Sequence, residues 1–369
     1  MSARQKKTSG PKVLIAAGNG HITEVEMIKG LRHSGVNIHA AFASTSPHLQ
    51  ALTDAGVPTR SLDLKGNADF RNALKVRGWI KDEQFEIVHG LANRQVANFI
   101  WASYGLPNKL IAYRGAIGHV SRWDPTCYIK WLSPRVNKII CVSQAVERDL
   151  AANGVNSAKL ITIYKGHDLS WYAHLDREAA RAAVKREFNI PNDALLIGMA
   201  ANIRAVKGAD LLVSALEALP GNVHALIIGD IRDKRLLDRV DRSAARGRIH
   251  CTGYRDEAAS LIGALDINCA PSRGREGLTK TVIEGLAQGV PAVVSTAGGL
   301  PEMVDHGKSG YVFPIDDLRA FIQCLHELIE SSDLRKTMGE RGKTLLQQRF
   351  DVRATITSTS QLYKQLLLE

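Results

Sequence analysis

The sequence predicts an α/β protein built from two doubly wound parallel sheets. Three observations carry this. Short apolar runs rich in valine and isoleucine recur along the chain, helix-length segments separate many of them, and they form two sets that change over after "YKGHDLSWY" (164–172). Short continuous strands alternating with helices are the pattern of parallel sheets covered on both faces. Two sets imply two such domains, and 369 residues with 45% apolar content suffice for two cores.

The first set is 12–17 "KVLIAA", 36–42 "VNIHAAF", 86–89 "EIVH", 109–113 "KLIAY", 138–143 "KIICVS" and 160–163 "LITI". The segment "DREAARAAVKREFNIPND" then reads as a helix and loop leading into the second set: 194–200 "ALLIGMA", 223–228 "VHALII", 249–251 "IHC", 265–269 "LDINC" and 291–294 "PAVV". The tail from Phe350 to Leu368 is helical, with spaced apolar residues that either close the second domain or cross back onto the first. The expected division is 1–170 and 171–350, with the tail 351–369 offered to the first domain. Ligands of such sheets bind outside the C-terminal ends of the strands.

Charge is unevenly placed. Residues 1–168 hold 22 Lys and Arg against 12 Asp and Glu, while 169–369 hold 26 against 25, so nearly all of the +11 lies in the first half. A basic half suits an anionic partner: a membrane face, a phosphorylated glycan or a nucleic acid. The alternative is a solubility surface. Trp123, Tyr128 and Trp131 interleave with Arg122, Lys130, Arg135 and Lys138, and Lys65, Arg71, Lys75 and Arg77 lie in 64–84. Aromatics beside cations suit a membrane interface; the competing reading of 121–138 is a core-packing helix with a charged outer side. No nucleic-acid recognition motif is present, so no nucleic-acid partner is expected.

The five cysteines, 127, 141, 251, 269 and 324, are odd in number and lack metal-ligand or CxxC spacing, which indicates buried thiols in a reducing compartment. No stretch reaches 18 apolar residues, and "VLIAA" reads as a strand rather than a leader. The expected location is the cytoplasm, peripheral to the inner membrane face.

Three loops carry candidate chemistry. "AAGNGH" (16–21) joins a strand to a helix, and Gly18 and Gly20 let backbone approach a ligand at the helix start. It is not GxGxxG, no acid ends the second strand, and a tight turn without ligand competes. In "ANIRAVKGADLLVSAL" (201–216), Arg204 and Lys207 precede a helix opened by Gly208, an arrangement able to clamp a diphosphate or merely to be a solvated loop. In "PSRGREGLTKTVIEGLAQG", a helix is expected from about Leu278 to Gln288. The amides of Gly277, Leu278 and Thr279 would be free first-turn donors, Glu276 would accept from sugar hydroxyls, and Glu284 would match a ribose diol. Glu276 is also simply an acid favoured at a helix start, and Glu284 has a surface alternative. His89 and Arg94, after another strand end, are further candidates.

Glu276 through Glu284, within "PS…EG…IEGLAQGVPAVVS…GG.PEMV..G.SGYVF", resembles the E-x7-E signature and donor region of the family 4 retaining glycosyltransferases. The resemblance continues at "KG.DLLV", "VHALIIGD" and "YKGHDLSWY", strongly in the second half and loosely in the first. It implies the GT-B architecture, two Rossmann-like doubly wound domains facing across a cleft. It also implies a nucleotide-diphospho-sugar donor in the second domain and an acceptor site, for a glycan or glycolipid, in the first; the basic charge of the first half would suit an anionic acceptor. Carried over, Glu276 contacts the transferred sugar and Glu284 the ribose. Arg204 and Lys207 neutralise the leaving diphosphate, Gly18 and Gly20 lie against donor phosphate and acceptor, and Tyr254 lines the base pocket. The sequence departs from the family where a histidine often follows the fourth strand; here Arg114 stands there, or His119 reaches in. Lys165 replaces a frequent Asn, the arginine lies nearer Lys207 than usual, and "EGLTK" leaves Lys280 as an extra contact.

The chain has no Asp-x-Asp motif, so neither metal nor cofactor is expected, and cations with helix-start amides would stabilise the leaving group. A UDP-sugar is favoured over a GDP-sugar, in the synthesis of envelope polysaccharide or lipopolysaccharide. The rival reading is a nucleotide-sugar epimerase of the same architecture.

Overall fold

The computed structural model describes residues 10–118 and 120–369, and the chain divides into two compact units, 1–166 with 351–369, and 167–350. The first is built on seven parallel strands: β1 (Lys12–Ala16), β2 (Asn37–Phe42), β3 (Thr59–Ser61), β4 (Ile87–Gly90), β5 (Lys109–Arg114), β6 (Lys138–Cys141) and β7 (Leu160–Thr162). Their order is β3-β2-β1-β4-β5-β6-β7. Every pair is parallel, with Val13 opposite both Ile38 and Ile87. Side chains on both faces are buried because helices cover both, which is why these strands read as unbroken apolar runs.

The second unit repeats the plan with β8 (Leu195–Ala200), β9 (Val223–Ile228), β10 (Ile249–Gly253), β11 (Ile267–Ala270), β12 (Ala292–Ser295) and β13 (Gly310–Phe313). Their order is β10-β9-β8-β11-β12-β13, again parallel. Two strands escaped the sequence reading, β3 and β13. Both are sheet edges of three or four residues, and the polar β3 "TRS" carries no apolar run to announce it.

The tail is helix Val352–Leu366, and it lies in the first unit. Leu362, Tyr363 and Leu366 join the core of Ile15, Ile38, Phe42 and Ile111, and a Cβ on Gly30 would meet Ile356 at 2.1 Å, so glycine permits the close approach of this helix to Ile22–His33. His89, expected near ligand, is a correction: it is 1% exposed within β4, and its Nδ1 lies 2.8 Å from the Tyr363 hydroxyl. Complete burial pushes its pKa down to about 3, so it stays neutral and packs rather than binds.

Residues 121–138 also differ from expectation. They form one short helix, Pro125–Tyr128, among turns rather than a packed helix. Trp131 is buried, Trp123 is exposed, and Arg135 donates to the main-chain oxygens of Ser103 and Leu106, so its charge serves the fold. Cys251 is half-buried, the other four cysteines are buried, and none forms a disulfide among the described residues. Among the described residues no helix is long and apolar enough to cross a membrane.

Candidate functional site

In the second unit the strand order reverses between β8 and β11, the position beyond whose strand C-terminal ends open α/β sheets take their ligands. Those two loops carry Arg204, Lys207 and Glu276. The first turns through Ala205–Lys207 and ends on Gly208, at φ +70°, which begins helix Ala209–Ala218. A Cβ on Gly208 would stand 1.9 Å from the Pro271 oxygen, so only glycine fits where the loops touch.

Arg273 fastens the second loop to the first, a role the sequence did not suggest. Its amide donates to Val206 O, its Nη1 to Ala205 O, and its guanidinium pairs with both oxygens of Asp210 at 2.6 and 2.8 Å, while Nε reaches Asp316 at 2.6 Å. Its pKa is held above the ordinary arginine range, first by the hydrogen bond to Asp210. Arg275 adopts a left-handed φ of +63°, uncommon for a side-chain-bearing residue, immediately before Glu276.

Glu276 is 6% exposed. Its Oε1 accepts from Lys207 Nζ at 2.6 Å and Ser272 Oγ at 2.7 Å, and its Oε2 from Thr279 Oγ1 at 3.0 Å. Lys207 spends one of its three N–H donors on this pair, leaving two for a ligand. Arg204 is exposed, and among the described residues its guanidinium has no hydrogen-bond or ion-pair partner.

The helix begins at Lys280 and runs to Ala287, two residues later than the sequence suggested. Thr279 occupies the N-cap, but its hydroxyl serves Glu276 instead of capping, and its amide donates to Met303 Sδ at 3.3 Å. The expected free donors therefore become Gly277, Leu278, Lys280 and Thr281, whose amides have no partner among the described residues. The start shifts because the turn through Glu276 consumes residues that a simple periodicity assigns to helix.

Glu284 is 3% exposed and pairs with Lys280 Nζ at 2.9 Å, one helical turn away. Burial raises its pKa above the usual carboxylate range, with Lys280 opposing. Tyr172 is close enough for Glu284 to help raise its pKa after burial, and its hydroxyl lies 2.9 Å from His167 Nδ1. Tyr254, at the end of β10, is 69% exposed, with its hydroxyl donating to Asp256 at 2.9 Å.

In the first unit, a cavity of about 830 Å³ opens at the C-terminal ends of β1, β4 and β5, and its walls include Gly18, Lys65, Arg94, Tyr113 and Arg114. Open space surrounds the position of a Gly18 Cβ, whereas a Cβ on Gly20 (φ +75°) would strike the Phe42 ring at 2.3 Å. Packing alone thus requires glycine at 20. Arg114 ends β5, donates to Gly118 O, and lies over the Trp131 ring at 4.9 Å. His119 lies outside the described residues. Lys165 pairs with Glu24 at 3.0 Å.

The family model described as Glycosyl transferases group 1 matches residues 194–331, and that described as Glycosyltransferase Family 4 matches residues 24–171. Among curated relatives, the O-antigen biosynthesis glycosyltransferase WclY of Escherichia coli is 27% identical over 217 residues, 58% of each chain. The N-acetyl-α-D-glucosaminyl L-malate synthase of Bacillus anthracis is 25% identical over 187 residues, 50% of this chain and 49% of that protein. The matches thus span about half the length of these relatives. Among solved structures, Anabaena Alr3699/HepE in complex with UDP has a TM-score of 0.81 at 17% identity, covering 96% of this chain and all of that one. A glycosyltransferase of Rickettsia africae has a TM-score of 0.82 at 19% identity, covering 97% and 99%. These likenesses show the GT-B fold.

Proposed function

The chain belongs to the glycosyltransferases described by those two family models, which between them match most of its length, and from that premise we propose that it transfers a sugar from a nucleotide-diphospho-sugar to a hydroxyl of a glycan or glycolipid. One observation carries the reading. Lys207 and the buried Glu276 meet at 2.6 Å at the strand-order reversal of the second unit, beside a helix start whose amides are uncapped. That combination supplies cations and backbone donors for a diphosphate and a fixed carboxylate for sugar hydroxyls.

In this reading Lys207 and Arg204 meet the charge that develops as the bond from the anomeric carbon to phosphate breaks. Glu276, already held by Ser272 and Thr279, orients the sugar without having to reorganise. The acceptor oxygen bonds to the anomeric carbon on the face that the phosphate leaves, and the departing phosphate oxygen takes the acceptor's proton, giving retention. Glu284 holds the ribose. The cations do the electrostatic work that a metal would otherwise do, so the proposed reaction is metal-independent. The epimerase alternative finds no support, since both matching family models are glycosyltransferase models.

UDP is the first donor base to test, because solved neighbours are described in complex with UDP and with UDP-glucose. A thermal-shift panel of UDP, GDP and ADP is expected to give a rise with UDP, and UDP-sugar turnover is expected to survive chelator. No rise with any nucleotide would reject the donor site; activity abolished by chelator and restored by a divalent ion would reject the metal-free chemistry.

The relative named for O-antigen biosynthesis supports an acceptor of the cell envelope. We place the protein at the inner membrane face through helices Phe70–Asp82 and Asn93–Ser103. Phe70, Leu74, Trp101 and Tyr104 are exposed there beside Arg71 and Lys75, with Phe70 edge-on to Trp101 at 5.3 Å. Cosedimentation with phosphatidylglycerol-containing vesicles should exceed that with phosphatidylcholine alone, and Phe70→Ser with Leu74→Ser should reduce it. Equal sedimentation with both lipids, or no effect of the substitutions, removes the membrane role.

A further inference from the structure

The first unit's cavity is more specific than a generic acceptor site. It lies where strand order reverses between β1 and β4, and helix Asn93–Ser103 starts at its wall. This eleven-residue helix has Ala92 at its N-cap, no side-chain cap, and no acid in its first turn. Its opening amides therefore lack the usual local acceptor. In place of an acid, the first turn carries exposed Arg94, a cation at the positive end of a helix dipole. That arrangement is unfavourable until an anion joins it.

A second observation is independent of the helix. Arg114 lines the same cavity and is 7% exposed, yet its Nε has no hydrogen-bond partner, and no carboxylate forms an ion pair with it among the described residues. Burial depresses its pKa, Asp149 partly offsets this, and Asp149 itself accepts from Gly118 N at 3.1 Å. An incompletely satisfied buried guanidinium is costly, and a ligand that brings negative charge relieves it. Lys65 adds a third cation on the wall. Among the described residues of the wall the one acid, Asp63, already accepts from Ser44 N at 2.8 Å.

We propose that this cavity recognises its acceptor through an oxyanion, a phosphate or carboxylate, seated at the start of helix Asn93–Ser103 among Arg94, Lys65 and Arg114. The assignment rests on reading the first unit as the acceptor side, and it narrows the acceptor to an anionic glycan or glycolipid.

The test compares thermal shifts with glucose 6-phosphate, glucuronate and glucose at one ionic strength, using the full chain, Lys65→Ala/Arg94→Ala and Lys207→Ala. Lys65 and Arg94 are exposed, so the double variant should fold, shown by a melting temperature without ligand no lower than the parent's. At least one anionic sugar is expected to stabilise the protein where glucose does not, and which one does so tells phosphate from carboxylate. The half-saturating concentration should rise about 10-fold or more in Lys65→Ala/Arg94→Ala, the effect of losing roughly 1.4 kcal/mol or more of binding, and should be unchanged in Lys207→Ala. Stabilisation by glucose alone or by no probe, an unaffected double variant, or loss in Lys207→Ala instead would each overturn the proposal. UDP measured on the same proteins reports the donor reading separately: its shift should persist in the double variant and weaken in Lys207→Ala.

Discussion

Lys207→Ala is expected to lower kcat/KM for sugar transfer by about 10²–10³-fold, the usual effect of removing one preorganised donor from a developing oxyanion. The side chain combines two roles, since it pairs with Glu276 at 2.6 Å and keeps two donors for phosphate. Its removal leaves the Glu276 carboxylate with the Ser272 and Thr279 hydroxyls, so the fold should survive with a modest loss of stability. Steady-state kinetics with a varied donor, beside calorimetric titration of the nucleoside diphosphate, checks this. A fall in melting temperature with near-normal kcat/KM would reduce Lys207 to a structural ion-pair partner.

Glu284→Gln should separate binding from stability, moving them in opposite directions. The folded carboxyl is raised above its ordinary value of 4.5 because burial penalises the charged form. The folded state therefore holds its proton to higher pH than the unfolded state, so stability falls as pH rises past the unfolded value and levels off above the folded one. Glutamine escapes that penalty. The variant should melt higher than the parent at neutral pH, with the difference vanishing in acid below the unfolded value. Nucleotide affinity should fall about 10- to 100-fold, since a carboxylate on a diol makes charge-assisted hydrogen bonds that an amide only partly replaces. Melting curves from pH 4 to pH 8 (about the range in which a buried carboxyl titrates) and nucleotide titrations give both readouts. If affinity is unchanged, Glu284 has no part in holding the ribose.

Much of the site could be read in the chain because its parts are local. Gly208 follows Lys207 directly, and Glu276 and Glu284 lie on one loop-helix segment, so spacing alone brings them near one helix start. The helix start at Lys280 could not be read so well, because Thr279 turns its hydroxyl toward Glu276 instead of capping. Arg273 was invisible for a related reason. Its partners Asp210 and Asp316 lie 63 and 43 residues away, and nothing in "SRGRE" names them. His89 misled because a histidine at a strand end looks like a ligand contact, while the Tyr363 that buries it lies 274 residues further on.

The sequence by itself determined two parallel-sheet units, the strands with unbroken apolar runs, and the candidate residues that we propose meet a diphosphate and sugar hydroxyls. Tertiary structure alone decided which unit takes the C-terminal helix, that Gly20 answers to Phe42, and that Arg114 lies buried on Trp131. The physical reason is range: periodicity and capping are set within a few residues, whereas burial and charge pairing depend on which distant segments the sheet order brings together.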